Sequence, residues 1–222
     1  MFKRLLDSLN GSLSDKKNGL CIDLGCGSNK KPGFIGVDIA AGEGVDHVVN
    51  FEIDPLPFED NSIDYVFSNH SFEHICSPQN VLREIVRVCK HGAIVEIWTP
   101  YLKSNDAFLL GHHSFYNENI WKHICFEYHD FYFHDAPGRF DWRETHYVLN
   151  TNILNSLKKN RIDFSFALEH MFNIALEFGV IISVDKNSKK AKQPQIPKIL
   201  AGYSRANICF DQQQLSEMSG AT

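Results

Sequence analysis

Leu20 to Ile39 reads LCIDLGCGSNKKPGFIGVDI. It opens on a short apolar run, Leu20–Leu24, of the kind that forms a buried strand, with Asp23 near its end. Gly25, Cys26 and Gly27 follow. Glycines in that place let the backbone turn sharply and come close to a ligand, because no Cβ stands in the way. A second apolar run, Phe34–Ile39, carries Asp38, eleven residues past Gly27. A carboxylate there can accept hydrogen bonds from both hydroxyls of a ribose. In an open α/β sheet, ligands bind at this place, outside the carboxyl ends of the strands.

The neighbours of the two glycines narrow the ligand. A dinucleotide site asks for G-x-G-x-x-G, and Lys30 stands at the third glycine position. A pyrophosphate also needs a helix N-terminus. The nine residues from Gly25 to Gly33 include Pro32 and leave room for little helix. The GK-Ser/Thr ending of a phosphate-cradling loop is absent. The stretch therefore suits a nucleoside ligand without phosphates.

Outward from this stretch the first half alternates readably. Val45–Asn50, Ile63–Ser68 and Ala93–Trp98 are further strand candidates. Between the last two lies SPQNVLREIVRVCKHG, with Ser77 as cap, Pro78 at the first helical position and Gly92 as the expected stop. Leu82, Ile85, Val86 and Cys89 form its apolar stripe. Strands alternating with helices predict an α/β fold built on a mostly parallel sheet covered on both faces. In the second half, Asn117 is expected to cap a helix over Asn117–Ile124. Phe126–Phe133 and His146–Asn150 read as strands, and Phe166–Phe178 has helical spacing.

The 222 residues are expected to form one domain: an N-terminal helix over 1–19, a cofactor-binding half over 20–100, a substrate-side half over 101–184 and a flexible loop over 185–198. Phe2, Leu5, Leu6 and Leu9 give the first segment an apolar face, while Lys3, Arg4 and Asp7 break up any secretory signal. No apolar run is long enough to span a bilayer. A net charge of −5 gives no reason to expect a nucleic-acid binder, which usually shows a basic face. Six cysteines without a C-x-x-C pair read as thiols in a reducing compartment, so the cytoplasm is the expected location.

Four segments carry a family resemblance: DLGCG, GFIGVDI, LPFEDNSIDYVFSNHSFEHI and LREIVRVCKHGAIVEIWTPY, in order from about Leu20 to about Ile124. The chain resembles the class I S-adenosylmethionine-dependent methyltransferases, in particular the type 11-like group that includes sugar and polysaccharide-locus enzymes. The resemblance implies a Rossmann-like, mostly parallel seven-stranded sheet with an antiparallel hairpin near its end. It implies S-adenosylmethionine as cofactor and S-adenosylhomocysteine as product. Asp23, Gly25, Cys26 and Gly27 would border the methionine end and ribose; Asp38 and Ile39 would hold the ribose side; Asn50 and Phe51 would flank the adenine. Ser68, Asn69 and His70 would face the methionine part and the reacting centre, with the family's Glu-His pair at Glu73-His74.

Methyl transfer is an in-line displacement in which alignment does most of the work. A hydroxyl acceptor must in addition lose its proton, usually to His, Asp or Glu. In TPYLKSNDAFLLGHHSFYNENIW, His112 stands at the family histidine, and Leu109-Leu110-Gly111 replaces the acid-proline-threonine that precedes it there. Tyr101, His112 and His113 are the candidate acceptor-site residues. His129, Asp130, His134, Asp135 and His146 read as the rim of an aromatic wall; no metal is expected there, because i, i+5 positions on a strand face opposite ways. The leading expectation is O-methylation of a saccharide or other small molecule. Carboxyl methylation of a peptide or natural-product acid, a nicotinamide-dependent oxidoreductase and a non-catalytic cofactor-binding scaffold are the alternatives.

Overall fold

The computed structural model describes residues 19–187, 197–208, 210–211 and 213–215. The expected N-terminal helix, most of the 185–198 loop and Cys209 lie outside the described residues. One sheet holds nine strands among these residues, in the order β3-β2-β1-β4-β5-β7-β6-β8-β9. The strands are β1 (Cys21–Leu24), β2 (Ile35–Asp38), β3 (His47–Val48), β4 (Ile63–Asn69), β5 (Cys89–Pro100), β6 (Arg139–Leu149), β7 (Ala175–Asp185), β8 (Lys198–Gly202) and β9 (Phe210–Asp211).

β1 to β5 pair in parallel throughout, so their carboxyl ends share one edge. β7 runs antiparallel between β5 and β6, which is the expected antiparallel feature. Beyond the seven strands of the expected sheet, β8 joins β6 in parallel and β9 closes antiparallel on β8. The first crossover, from Gly25 to Phe34, contains turns and no helix, as its length and Pro32 predict.

Helix α1 (Pro78–Val88) starts where the sequence places it, with Ser77 at the cap and Pro78 at the first helical position. Its cap differs from the expectation, because the Ser77 hydroxyl makes no capping bond; the Ser77 N–H donates instead to Glu52 Oε2 at 3.1 Å. Gly92 does not end the helix. The chain passes at Cys89 straight into β5, and Gly92 (φ +80°) lies where the β4–β5 register slips between Ile63↔Cys89 and Tyr65↔Ile94. Left-handed backbone of this kind suits a glycine at a bulge.

The second half departs further. Asn117 caps α2 (Glu118–Lys122) as predicted, its Oδ1 accepting from the Ile120 N–H at 3.2 Å. The chain then makes a π-helical turn over His123–Glu127 and enters α3 (His129–Phe133), so the strand expected over Phe126–Phe133 is helical. The buried side chains Trp121, Ile124, Cys125, His129 and Phe133 recur at helical spacing, and that burial overrides the strand preference of the aromatic residues. His129 and His134 therefore do not stand on opposite faces of a strand. The helix expected over Phe166–Phe178 is also corrected. After α4 (Ile153–Asn160), helix α5 runs only from Phe164 to His170, and the chain turns through Asn173 (φ +58°) into β7.

Alternate residues of the strands feed two clusters. Val95, Ile97, Tyr147, Phe178, Val180 and Ile182 belong to the large one, and the buried apolar residues of α1 to α5 all join it. Trp98, Val148, Leu200 and Ile208 form the small one. Residues of opposite parity on a strand face opposite sides, so among the described residues the helices pack on one of these faces. On the other, Gly179 lies flat under Trp98, and a Cβ added there would stand 2.8 Å from three ring atoms. Gly179→Ala is expected to lower stability by about 1–3 kcal/mol through overpacking, read as a lower urea midpoint with an unchanged slope. Among the described residues no helix is long and apolar enough to cross a membrane. Five of the six cysteines are described, and all five are free.

Candidate functional site

The glycine turn is built by the ends of β1 and β2. Gly25 (φ +72°) and Gly27 (φ +50°) both lie in left-handed backbone, which favours glycine. The Gly25 N–H donates to the Val37 carbonyl at 2.7 Å and the Cys26 N–H to the same oxygen at 3.3 Å, tying the turn to β2. A Cβ on Gly25 would fall 2.0 Å from the Ser71 hydroxyl, whereas one on Gly27 would meet nothing within 4 Å. The first glycine is thus demanded by packing, and the second leaves a bare stretch of backbone.

Asp38 ends β2. Its Oδ2 accepts from the Gly27 N–H at 2.8 Å and its Oδ1 from the Ala40 N–H at 3.1 Å. Each carboxylate oxygen has further lone-pair capacity. Asp23 is buried; Oδ2 accepts from the Lys31 N–H at 2.7 Å and Oδ1 is buried without a hydrogen-bond partner. Burial raises the Asp23 pKa against the lowering effect of Lys31, and pushes the neighbouring Cys26 thiol up to about 11.

Gly25, Gly27 and Asp38 border a cavity of about 380 Å³, which Ile39, Asn50, Phe51, His70 and His74 also line; Asp23 and Cys26 lie outside its lining. Ile39 is largely exposed and Phe51 is buried. Glu52, Ser71 and Ile75 also line it and were not singled out in the sequence. Glu52 Oε2 accepts the Cys76 and Ser77 N–H groups, fixing the turn before α1. Ser68 and Asn69 serve otherwise. The Ser68 hydroxyl donates to the Leu24 carbonyl at 2.7 Å, and Asn69 Oδ1 accepts from Arg205.

His70 is a non-glycine residue in left-handed backbone (φ +50°), held by its N–H to the Trp98 carbonyl at 2.9 Å. Strain of that kind collects at functional sites. Its Nδ1–H donates to Glu73 Oε1 at 3.0 Å, and Nε2 faces Glu177 Oε1 at 4.0 Å. Glu177 first, and then Glu73, push its pKa up to about 9. At neutral pH His70 is therefore a cation and a donor, and does not take a proton. Glu177, at the start of β7, is itself held below its usual range by His70 and Arg205. Arg205 comes from the turn between β8 and β9 and stacks 4.6 Å from the Trp98 ring. No local pattern announces Glu177 or Arg205; antiparallel pairing brings the first beside Pro100 and the added strands bring the second.

The candidate acceptor residues separate. The His112 ring lies edge-on to His74 with centroids 4.8 Å apart, and its Nδ1 is buried without a partner. Glu73 is fully buried beside them, with Oε2 also without a partner. An acid, Glu73, thus comes close to His112 in space from thirty-nine positions earlier, with no hydrogen bond joining the two. His113 is exposed, and its N–H donates to the Glu73 carbonyl at 2.7 Å. Tyr101 is placed elsewhere. It is buried against Tyr147 and Phe178, its hydroxyl donates to Glu118 at 3.1 Å, and burial with Glu118 raises its pKa. His129 and His134 line a separate cavity of about 340 Å³ with Asp130, Asp135 and Lys186.

Residues 22–97 match the family described as a methyltransferase domain. Among solved structures, the fold is similar to a protein from Galdieria sulphuraria described as a sarcosine dimethylglycine methyltransferase, at TM-score 0.52 and 16% identity. That match covers 84% of this chain and 85% of the other. It is similar also to an S-adenosylmethionine-dependent methyltransferase from Archaeoglobus fulgidus, at TM-score 0.50 and 15% identity, over 82% of this chain and 94% of that one.

Proposed function

We propose that this chain, a class I S-adenosylmethionine-dependent methyltransferase, methylates a hydroxyl group of a saccharide or other small-molecule acceptor, with His112 as the residue on which removal of the hydroxyl proton depends. The observation that carries this reading is the clustering of Glu73 and His112 with His74, which lines the cavity that Gly25, Gly27 and Asp38 border. A carboxylate acceptor would need no such group, whereas a hydroxyl needs one.

The cavity residues fit the cofactor. Asp38 accepts the two ribose hydroxyls on the lone pairs its backbone bonds leave over. The bare backbone at Gly27 admits the ribose and methionine end closely, with Cys26 and Gly25 behind it. Ile39, Asn50 and Phe51 form the adenine walls. Asp23, with one buried oxygen unpartnered, is the acceptor for an ammonium group. Protonated His70 closes the methionine side with Ser68 and Asn69 behind it. The sulfonium supplies an already activated methyl group; the chain's own residues bind, align and exclude water.

The test is a screen of hydroxylated saccharides and carboxylic acids with methyl-labelled cofactor, followed by mild alkali. Label retained after alkali is an ether and is the expected result. Label released as methanol is an ester and would replace the hydroxyl reading with carboxyl methylation.

A further inference from the structure

Two buried polar atoms beside His74, which lines the cavity, have no partner: Glu73 Oε2 and His112 Nδ1. Buried polar atoms are nearly always hydrogen-bonded, so two unpartnered ones on neighbouring side chains call for a ligand. One donor atom from each of Glu73, His74 and His112 lies within 4.8 Å of the others. We propose that these three side chains bind one divalent first-row transition-metal ion.

The surroundings hold each side chain as a ligand needs to be held. The His74 Nδ1 meets the Gly111 carbonyl at 3.0 Å. A carbonyl only accepts, so that nitrogen carries the proton and Nε2 keeps its lone pair. A histidine ligand fixed through its other nitrogen is the common arrangement at metal centres. The His70 Nδ1–H takes Glu73 Oε1, which orients the carboxylate and leaves Oε2 over. The segment bearing His112 is fastened to the Glu73 turn. The His113 and Ser114 N–H groups both donate to the Glu73 carbonyl, at 2.7 and 3.1 Å, and the Ser114 hydroxyl donates to the Ile75 carbonyl at 2.7 Å.

Two imidazoles and one carboxylate suit zinc, iron or manganese, and exclude magnesium, which prefers an all-oxygen shell. Three protein ligands leave a coordination position open, and His74 lines the cavity. An oxygen acid bound to such an ion loses its proton to solvent near neutral pH. That would be the means by which His112 assists the acceptor. The ion's role rests on the function proposed above, but its binding does not.

The experiment is calorimetric titration of the metal-free full chain with Zn²⁺ alone, without cofactor, and of the variants Glu73→Gln, His74→Ala and His112→Ala. Each protein is also titrated with S-adenosylhomocysteine. The expected result is one zinc per chain, weakened about 100-fold or more in each variant, with S-adenosylhomocysteine affinity kept in His112→Ala. Cobalt(II) absorption bands of a nitrogen- and oxygen-ligated ion in the wild type would support the site even where a variant fails to fold. Wild-type protein that binds S-adenosylhomocysteine but no zinc overturns the proposal, and so does zinc binding that none of the three substitutions alters. Failure to bind S-adenosylhomocysteine would instead count against the cofactor cavity and leave the zinc result standing.

Discussion

Asp38→Ala is expected to weaken S-adenosylhomocysteine binding by a factor of about 10² to 10⁴. In the proposed role the carboxylate accepts two ribose hydroxyls, and a hydrogen bond to a charged group contributes about 1.5–3 kcal/mol. Two such bonds give about 3–6 kcal/mol, at about 1.4 kcal/mol for each factor of ten. The same substitution frees the Gly27 and Ala40 N–H groups, so the glycine turn loses one of its ties to β2, while the bonds to the Val37 carbonyl remain. Asp38→Asn separates the two effects: its amide oxygen can still take one N–H, but its NH₂ cannot accept from a ribose. Calorimetry on the three proteins decides it. An alanine variant that binds as tightly as the wild type would remove Asp38 from the cofactor site.

His112→Ala is expected to lower kcat by about 10² to 10⁴, the usual contribution of assisted proton transfer, while S-adenosylhomocysteine affinity stays near the wild-type value. The ring is held against His74, and its backbone N–H bonds the Leu109 carbonyl at 3.1 Å. Substitution therefore removes the side chain without freeing the loop. A rate that persists in the variant would mean that the acceptor arrives without a proton to lose, as a carboxylate does.

The parts legible in the sequence were those whose signals are local. The β1 run, the two glycines and Asp38 lie within twenty residues, and turn chemistry and strand length place them. Ser77-Pro78 marked the start of α1, but its end was misplaced at Gly92, because a positive-φ glycine serves a bulge as well as it serves a helix end. The second half was decided by distant contacts. Tyr128, Phe131 and Tyr132 look like strand residues, yet the chain coils there to bury Ile124, Cys125 and Phe133. Phe166 and Phe172 simulated a helical stripe that the structure leaves largely exposed. The Val180–Val184 run was a readable strand signal and was not taken up. Arg205 reaches Asn69 across 136 positions, and nothing in its neighbourhood foretells that.

The short turn from Ser71 to Ile75 has one further consequence. Its first residue backs Gly25 at the cavity, and the Glu73 and Ile75 carbonyls grip the His113–Ser114 segment, on the proposed acceptor side. One short turn therefore touches both the cavity and the segment that bears the proposed acceptor residues. Occupancy on one side that shifts this turn alters affinity on the other, and equilibrium requires the influence to be equal in both directions. Under the proposed function, cofactor and acceptor would then be coupled ligands, positively if both favour the same position of the turn and negatively if they favour different ones.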